Sequence, residues 1–352
     1  MNDNRSNFVE WLKAVGMGLI VYGHTNGHAI FNPTLPVNLK QIGVVFFLIS
    51  TGYLLANERR PAFGVLINRF FNLYFYGLLI VVSLSVVAYL QIGDLNESNY
   101  LPFAFGANVL INAFPANPSL WYIGTYIHLL LIWAVLLRSL RITPWMILVT
   151  ALIEIGIRAW LMDPAGDFIA YQLFTNWLSI FMLGIYLGRE SCADRLEDGL
   201  GVKLGYIVTL AVFVAAWVSF SRAVGISESN PVGRIPSESA LAELLFSSVA
   251  VSVVYFTWGI LGFQIFRRFR AGAVVAFLGR NSMLCFMLHM PLIYAFSDEI
   301  KAMLGGAPNE VVLLVMNLAI FYVGVCAFSE LLTRTISASA FRVWLFQLLP
   351  SR

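Results

Sequence analysis

Glu10-Trp11-Leu12-Lys13, the apolar run Ala14–Gly23 and then His24 form the stretch on which the reading of this chain turns. The run has the composition of a membrane-crossing helix, yet its ends carry a carboxylate, an ammonium and an imidazole. Ionisable groups in a bilayer segment are costly, so each needs a partner, a watered cavity or a chemical task. His24 follows Lys13 by eleven residues. That is close to three turns of about 3.6 residues, which puts the two on one helix face about 16 Å apart. Glu10, three residues before Lys13, joins the same face.

Composition extends the membrane reading to the whole chain. Of 352 residues, 59% are hydrophobic and 12% charged, against about 45–50% and about 25% in soluble domains. The chain is expected to be an all-α polytopic membrane protein with short loops. A single domain over residues 1–352 is the economical reading, with a core at 5–332 and an interfacial tail at 333–352. The first apolar run opens on charged residues and lacks a small-residue cleavage site, so it is expected to remain as an anchor. A net charge of +3 gives no case for nucleic-acid binding. Cys192, Cys285 and Cys326 are odd in number and scattered, which argues against a disulfide framework or a zinc cluster. No metal and no bound cofactor are expected.

Crossing roughly 30 Å of hydrocarbon takes about 20 apolar residues. Spans are predicted near 9–29, 40–56, 65–92, 119–138, 143–162, 169–188, 203–222, 239–266, 273–296 and 310–332, about ten in all. Residues 101–114 read as an interfacial or re-entrant element, and 338–349 as an amphipathic surface segment with Arg342 on its polar side. With the N-terminus inside, fourteen Lys and Arg residues fall on the inner side and five on the outer. The positive-inside rule then places both termini in the cytoplasm.

Several polar residues inside these spans have two readings. His24 is either a packed, hydrogen-bonded histidine or a general base, since a pKa near 6.5 suits proton transfer. His289, near the depth inferred for His24, either bonds a carbonyl freed by Pro291 or serves to orient the His24 imidazole or bind the acceptor. His128 reads as structural, and His28 sits near the interface. Glu154 and Arg158, four residues apart, form an ion pair or bind acceptor hydroxyls. Ser282 and Asn281 fit interhelical hydrogen bonds. Trp121 and Tyr122 fit an aromatic belt or a sugar-stacking mouth.

The order of segments carries more than any one of them. After His24 come Gly43-Val44-Val45-Phe46-Phe47-Leu48-Ile49-Ser50-Thr51-Gly52, then Arg59, Arg60 and Arg69. Leu120-Trp121-Tyr122, Phe181-Met182-Leu183-Gly184, Gly279-Arg280-Asn281-Ser282 and His289-Met290-Pro291 follow. From Arg5 to Tyr294 this order resembles the acyltransferase 3 family of membrane acyltransferases. The resemblance implies transfer of an acyl group, usually acetyl from acetyl-CoA, to a hydroxyl of a glycan or glycolipid at a bacterial inner membrane. It aligns His24 with the family's essential histidine, Glu10 with its usual aspartate and Lys13 with its arginine. Two departures stand out. Lys13 keeps the charge without arginine's bidentate fork. The family's Arg-x-x-Arg-x-x-Pro is reduced to Arg69 alone in Arg69-Phe70-Phe71-Asn72-Leu73-Tyr74-Phe75.

The implied site follows. His24 is the expected base, with Glu10 and Lys13 supporting it. Lys13, Arg59, Arg60 and Arg69 are expected to cluster and hold the phosphates of cytosolic acyl-CoA. His289, Ser282, Trp121, Glu154 and Arg158 are candidates for acceptor binding or support. The reading from a different class is a secondary transporter or flippase, which the lack of visible repeats disfavours.

Overall fold

The computed structural model describes residues 7–25, 30, 37–92, 100–112, 118–163, 165–190, 195–228, 231–304 and 309–347, and every regular element among them is helical. His28 and Cys192 lie outside these residues.

In chain order the long helices are α1 (Asn7–His24), α2 (Leu39–Ala56) and α3 (Ala62–Ile92). The short α4 (Tyr100–Ala104) and a 3-10 turn occupy the region expected to be interfacial. Then come α5 (Trp121–Ile132), which continues as a π turn to Leu137, and α6 (Pro144–Met162). Next are α7 (Asp167–Gln172), α8 (Leu178–Glu190), α9 (Leu200–Val224), α10 (Ala240–Phe266) and α11 (Ala273–Met303). The chain closes with α12 (Glu310–Leu318), a π segment to Gly324, α13 (Val325–Thr335) and α14 (Ala338–Gln347).

The starts of these helices are written in their caps. Asn38 opens α2 with a capping box, its side chain accepting from Lys40 N at 3.2 Å while Gln41 Oε1 accepts from Asn38 N at 3.2 Å. Thr143 accepts from Met146 N ahead of Pro144, and Ser239 from Ala242 N ahead of α10.

Seven described helical stretches are long and apolar enough to cross a membrane, fewer than the ten expected. The expected first span at 9–29 is the eighteen-residue α1, which is not among the seven, and the one at 119–138 is a shorter apolar helix, Trp121–Leu137. The expected span at 169–188 is broken into α7, a 3-10 turn at Phe174–Asn176 and the thirteen-residue α8. Leu173 is extended at φ −63 and ψ 147, and the side chains of Asn176 and Trp177 both donate to the Tyr171 carbonyl, closing off α7. In the other direction α11 runs 31 residues straight through Pro291. The tail helix α14 lies against α3, where Arg342 donates to Asn68.

The core is the packing of α2 on α1 and α8, and of α1 on α11. Of the most apolar stretch of α2, 78% is buried, so it is the central helix and not a marginal one. Glycine lets the axes close. A Cβ at Gly16 would sit 2.9 Å from the Gly43 carbonyl oxygen, and Gly43 is as tightly placed against Gly16. The glycines of the segments quoted from the sequence thus mark helix crossings.

A two-histidine cavity and a second cavity lined by arginines

α1 and α11 cross so that His24, in the last turn of α1, faces His289 with ring centroids 5.2 Å apart. Both line a cavity of about 280 Å3. Its other walls include Lys40 and Val44 of α2, Trp121 at the start of α5, and Tyr171 and Gln172 of α7. His24 is half-buried, whereas His289 is 1% exposed.

The hydrogen bonds of His289 fix which of its nitrogens holds the proton. Nδ1 lies 2.7 Å from the Phe286 carbonyl oxygen and 3.3 Å from that of Cys285. Carbonyls only accept, so Nδ1 donates and Nε2 keeps its lone pair. Nε2 is buried and finds no hydrogen-bond partner among the described residues. The carbonyl that Pro291 deprives of its N–H is that of Met287, four residues back. His289 bonds two other carbonyls, so relief of a proline kink does not account for its position.

An aromatic ladder supports the cavity wall. Trp121 lies 4.9 Å from Tyr171 and stacks on Trp177 at 6.2 Å, and Trp177 stacks on Tyr255 at 4.8 Å. The Arg158 guanidinium covers the far face of this ladder, 6.0 Å from the Tyr255 ring. Arg158 is fully enclosed and donates to the Ser248 carbonyl at 2.8 Å and to Ser252 Oγ at 3.2 Å. Glu154 is held by Ser179, whose backbone N–H donates to it at 2.8 Å. Neither Glu154 nor Arg158 lines the cavity. The structure places them behind the aromatic wall, away from a hydroxyl-bearing ligand in the cavity. Ser282 also stays outside, its hydroxyl spent on the Gly279 carbonyl of its own helix at 2.8 Å.

A second cavity, of about 490 Å3, lies between α3, α5, α11 and α13. Arg69 and Arg280 both line it, with Tyr126, Asn281 and Glu330. Arg69 donates to the Tyr126 hydroxyl at 2.7 Å, and Asn281 donates to Glu330 at 2.8 Å. Arg280 sits one residue after Gly279 in a segment already singled out, but its place just inside a span gave no reason to group it with Arg69. Only the fold shows that the two line one cavity.

The expected cluster of Lys13, Arg59, Arg60 and Arg69 does not form around one cavity. Among the described residues, Lys13, Arg59 and Arg60 line neither of the two. Arg60 is exposed and paired with Glu58 at 2.6 Å, and the Arg59 carbonyl accepts from Arg138. That guanidinium beside Glu58 pulls its carboxyl down to about 2. Glu10 is buried against α11, where a Cβ at Gly279 would come within 2.9 Å of the Glu10 carbonyl oxygen. Between Lys13 and His24, α1 buries Met17, Ile20 and Val21 in the core. The two cavities share α11 as a wall. Phe286 lines the first cavity and Met287 the second, with Tyr122 packed 5.0 Å from Phe286. Arg280 and His289, nine residues apart, are about 14 Å apart along the helix axis.

Comparison with protein families matches residues 6–334 to a family described as an acyltransferase domain. No curated protein and no solved structure matches the chain.

Proposed function

The chain belongs to the acyltransferase 3 family, and from that premise we propose that it moves an acyl group, acetyl by family expectation, from cytosolic acyl-CoA to a hydroxyl of a glycan or glycolipid. The proposed setting is a bacterial inner membrane with both termini in the cytoplasm. The acyl donor enters from the Lys13 end and the acceptor from the His24 end. The observation that carries this reading is the facing pair His24 and His289 in one cavity.

In this reading His24 takes the proton of the acceptor hydroxyl as its oxygen attacks the thioester carbonyl. The C–S bond then breaks, and the imidazolium returns the proton to the CoA thiolate. His289 presents the lone pair of Nε2 to the same space, where it accepts a hydrogen bond from the His24 ring N–H or from the acceptor. Arg69 and Arg280 take the donor phosphates, since guanidinium forks match phosphate oxygens. Glu10 packs the start of α1 against α11 at Gly279, and Lys13 adds positive charge to that end of the helix. Trp121 and Tyr171 offer aromatic faces to the acceptor, with Gln172 and Lys40 as polar contacts.

The test is direct transfer. Purified protein is incubated with radiolabelled acetyl-CoA and a panel of glycans and glycolipids. Label moving into an acceptor is the expected result. Solute uptake into proteoliposomes without any acyl donor, together with no transfer, would replace this reading with the transporter.

A further inference from the structure

α9 stands apart from the bundle. Only 6% of its most apolar stretch is buried, against 44% for α10. Between α9 and the rest lies an apolar groove of about 1240 Å3, beyond the roughly 300–1,000 Å3 of ordinary ligand pockets. Its α9 wall is a stripe at helical spacing, Ile207, Ala211, Val214, Val218 and Arg222. That stripe covers sixteen residues, roughly 22 Å of the hydrocarbon thickness from first to last. The opposite wall is the face of α1 turned away from His24, with Trp11, Gly18 and Tyr22, and with Tyr322 beside it. Small residues on facing helices normally let a membrane pair close. Here Gly18, Ala211 and Ala215 border open space.

Two observations say which end of an occupant is polar. Arg222 is the one charged residue among those lining the groove, and it is exposed in the last turn of α9. That end adjoins the two-histidine cavity. Tyr22 lines the groove and His24 the cavity, and Leu39 lines the groove and Lys40 the cavity. Gly23, between them, packs so closely on α2 that a Cβ would lie 3.0 Å from Lys40 Cβ. The chain leaving α9 then returns to the cavity, where Pro231 forms part of the wall and its carbonyl accepts from Gln41 at 2.5 Å. Groove mouth and cavity therefore share one corner of the fold.

We propose that the groove holds the hydrocarbon anchor of a lipid-linked acceptor, with the lipid's phosphate on Arg222 and its sugar turned past the α1–α2 corner into the His24 cavity. This rests on the acyltransferase reading and narrows its acceptor to an anionic lipid conjugate. A hydrocarbon chain matches the apolar walls, and the guanidinium matches a phosphate at the membrane surface.

The experiment uses the full chain in phosphatidylcholine nanodiscs. The probes are polyprenyl phosphate and phosphatidylcholine, each carrying a diazirine at a chain end. Polyprenyl phosphate is expected to label groove residues of α1 and α9, and the choline lipid much less. Arg222→Glu should lower that labelling on the order of tenfold, the scale of one lost charge-assisted contact. Ala211→Trp, on a wall helix that barely packs, should also block it. In transfer assays both variants should lose activity on a polyprenyl-linked sugar and keep it on the same sugar with a methyl aglycone. Equal labelling by both probes, indifferent to Arg222→Glu, would make the groove a site for ordinary bilayer lipid and overturn the proposal. So would equal effects on the two acceptors. If the wild type transfers to neither acceptor, the acyltransferase reading fails, and the cross-linking pattern still decides the groove.

Discussion

His24 and His289 stand on two helices that cross, α1 and α11, with their rings 5.2 Å apart and the lone pair of His289 Nε2 left without a partner among the described residues. A buried acceptor of this kind discriminates between substitutions. Gln at 289 places an oxygen acceptor near the position of Nε2, whereas Ala leaves nothing there. His289→Gln is expected to retain several times the kcat of His289→Ala, with both variants equally well folded by size-exclusion profile. Equal activity in the two would remove the lone pair from the account.

Arg69 and Arg280 should act on the donor and not on the acceptor. Replacing either with Ala is expected to raise the KM for acetyl-CoA about tenfold or more, the scale of a lost hydrogen bond to a charged group. Arg60→Ala, whose side chain is exposed and tied to Glu58, should change it little. A donor KM insensitive to Arg280 would take that residue out of the site.

The α1–α2 crossing gives a stability test with an internal control. Gly43→Ala forces a Cβ into the Gly16 backbone and should cost about 1–3 kcal/mol, as overpacking does. Gly64→Ala meets nothing within 4 Å and should be neutral or gain up to about 1 kcal/mol in helix propensity. Thermal unfolding in detergent reads both, and similar melting shifts would contradict the packing described.

Arg158 braces the aromatic ladder through Ser248 and Ser252. Arg158→Ala should lower stability by about 3 kcal/mol through two lost charged hydrogen bonds. Arg158→Lys should recover only part of this, because the ammonium lacks the fork. If Arg158→Ala instead raised the acceptor KM with no change in melting, Arg158 would be a ligand-binding residue after all.

The Glu58–Arg60 pair fixes a sign for pH. The Glu58 carboxyl is lowered from 4.5 to about 2 by the Arg60 hydrogen bond. A depressed acid contributes stability that is complete above 4.5 and lost as pH falls through about 2. The melting difference between wild type and Glu58→Gln should therefore be flat from pH 5 to 8 and shrink under acid. The pair is exposed, so the difference itself is small.

Much of the fold was legible because bilayer crossing imposes length and apolarity together. The stretches at 40–56, 65–92, 143–162, 203–222, 239–266, 273–296 and 310–332 all correspond to helices of spanning character. The break at Leu173 was hidden, since residues 169–188 contain no charge and no proline, and the turn is closed by side chains of Asn176 and Trp177 donating to the Tyr171 carbonyl. In the site, His24 stood out as an imidazole in the wrong solvent, and His289 shared its depth. What sequence spacing cannot give is which helices meet. Arg69 and Arg280 lie on helices far apart in the chain, and spacing alone left Arg158 open to both an ion-pair and a ligand-binding reading, because it does not reveal the ladder between Arg158 and Trp121. Clustering by loop position grouped Arg59 and Arg60 with Arg69, though of the three Arg69 alone lines either of the two cavities described.

The central claim is that His24 performs proton transfer in an acyl-transfer cavity, and single-turnover transfer of radiolabelled acetyl from acetyl-CoA measures it. His24→Ala, checked for an unchanged melting temperature and unchanged acetyl-CoA binding, should lose on the order of 100-fold or more in rate, the usual contribution of a positioned acid–base group. Transfer at the wild-type rate in a folded, donor-binding His24→Ala protein would contradict the account.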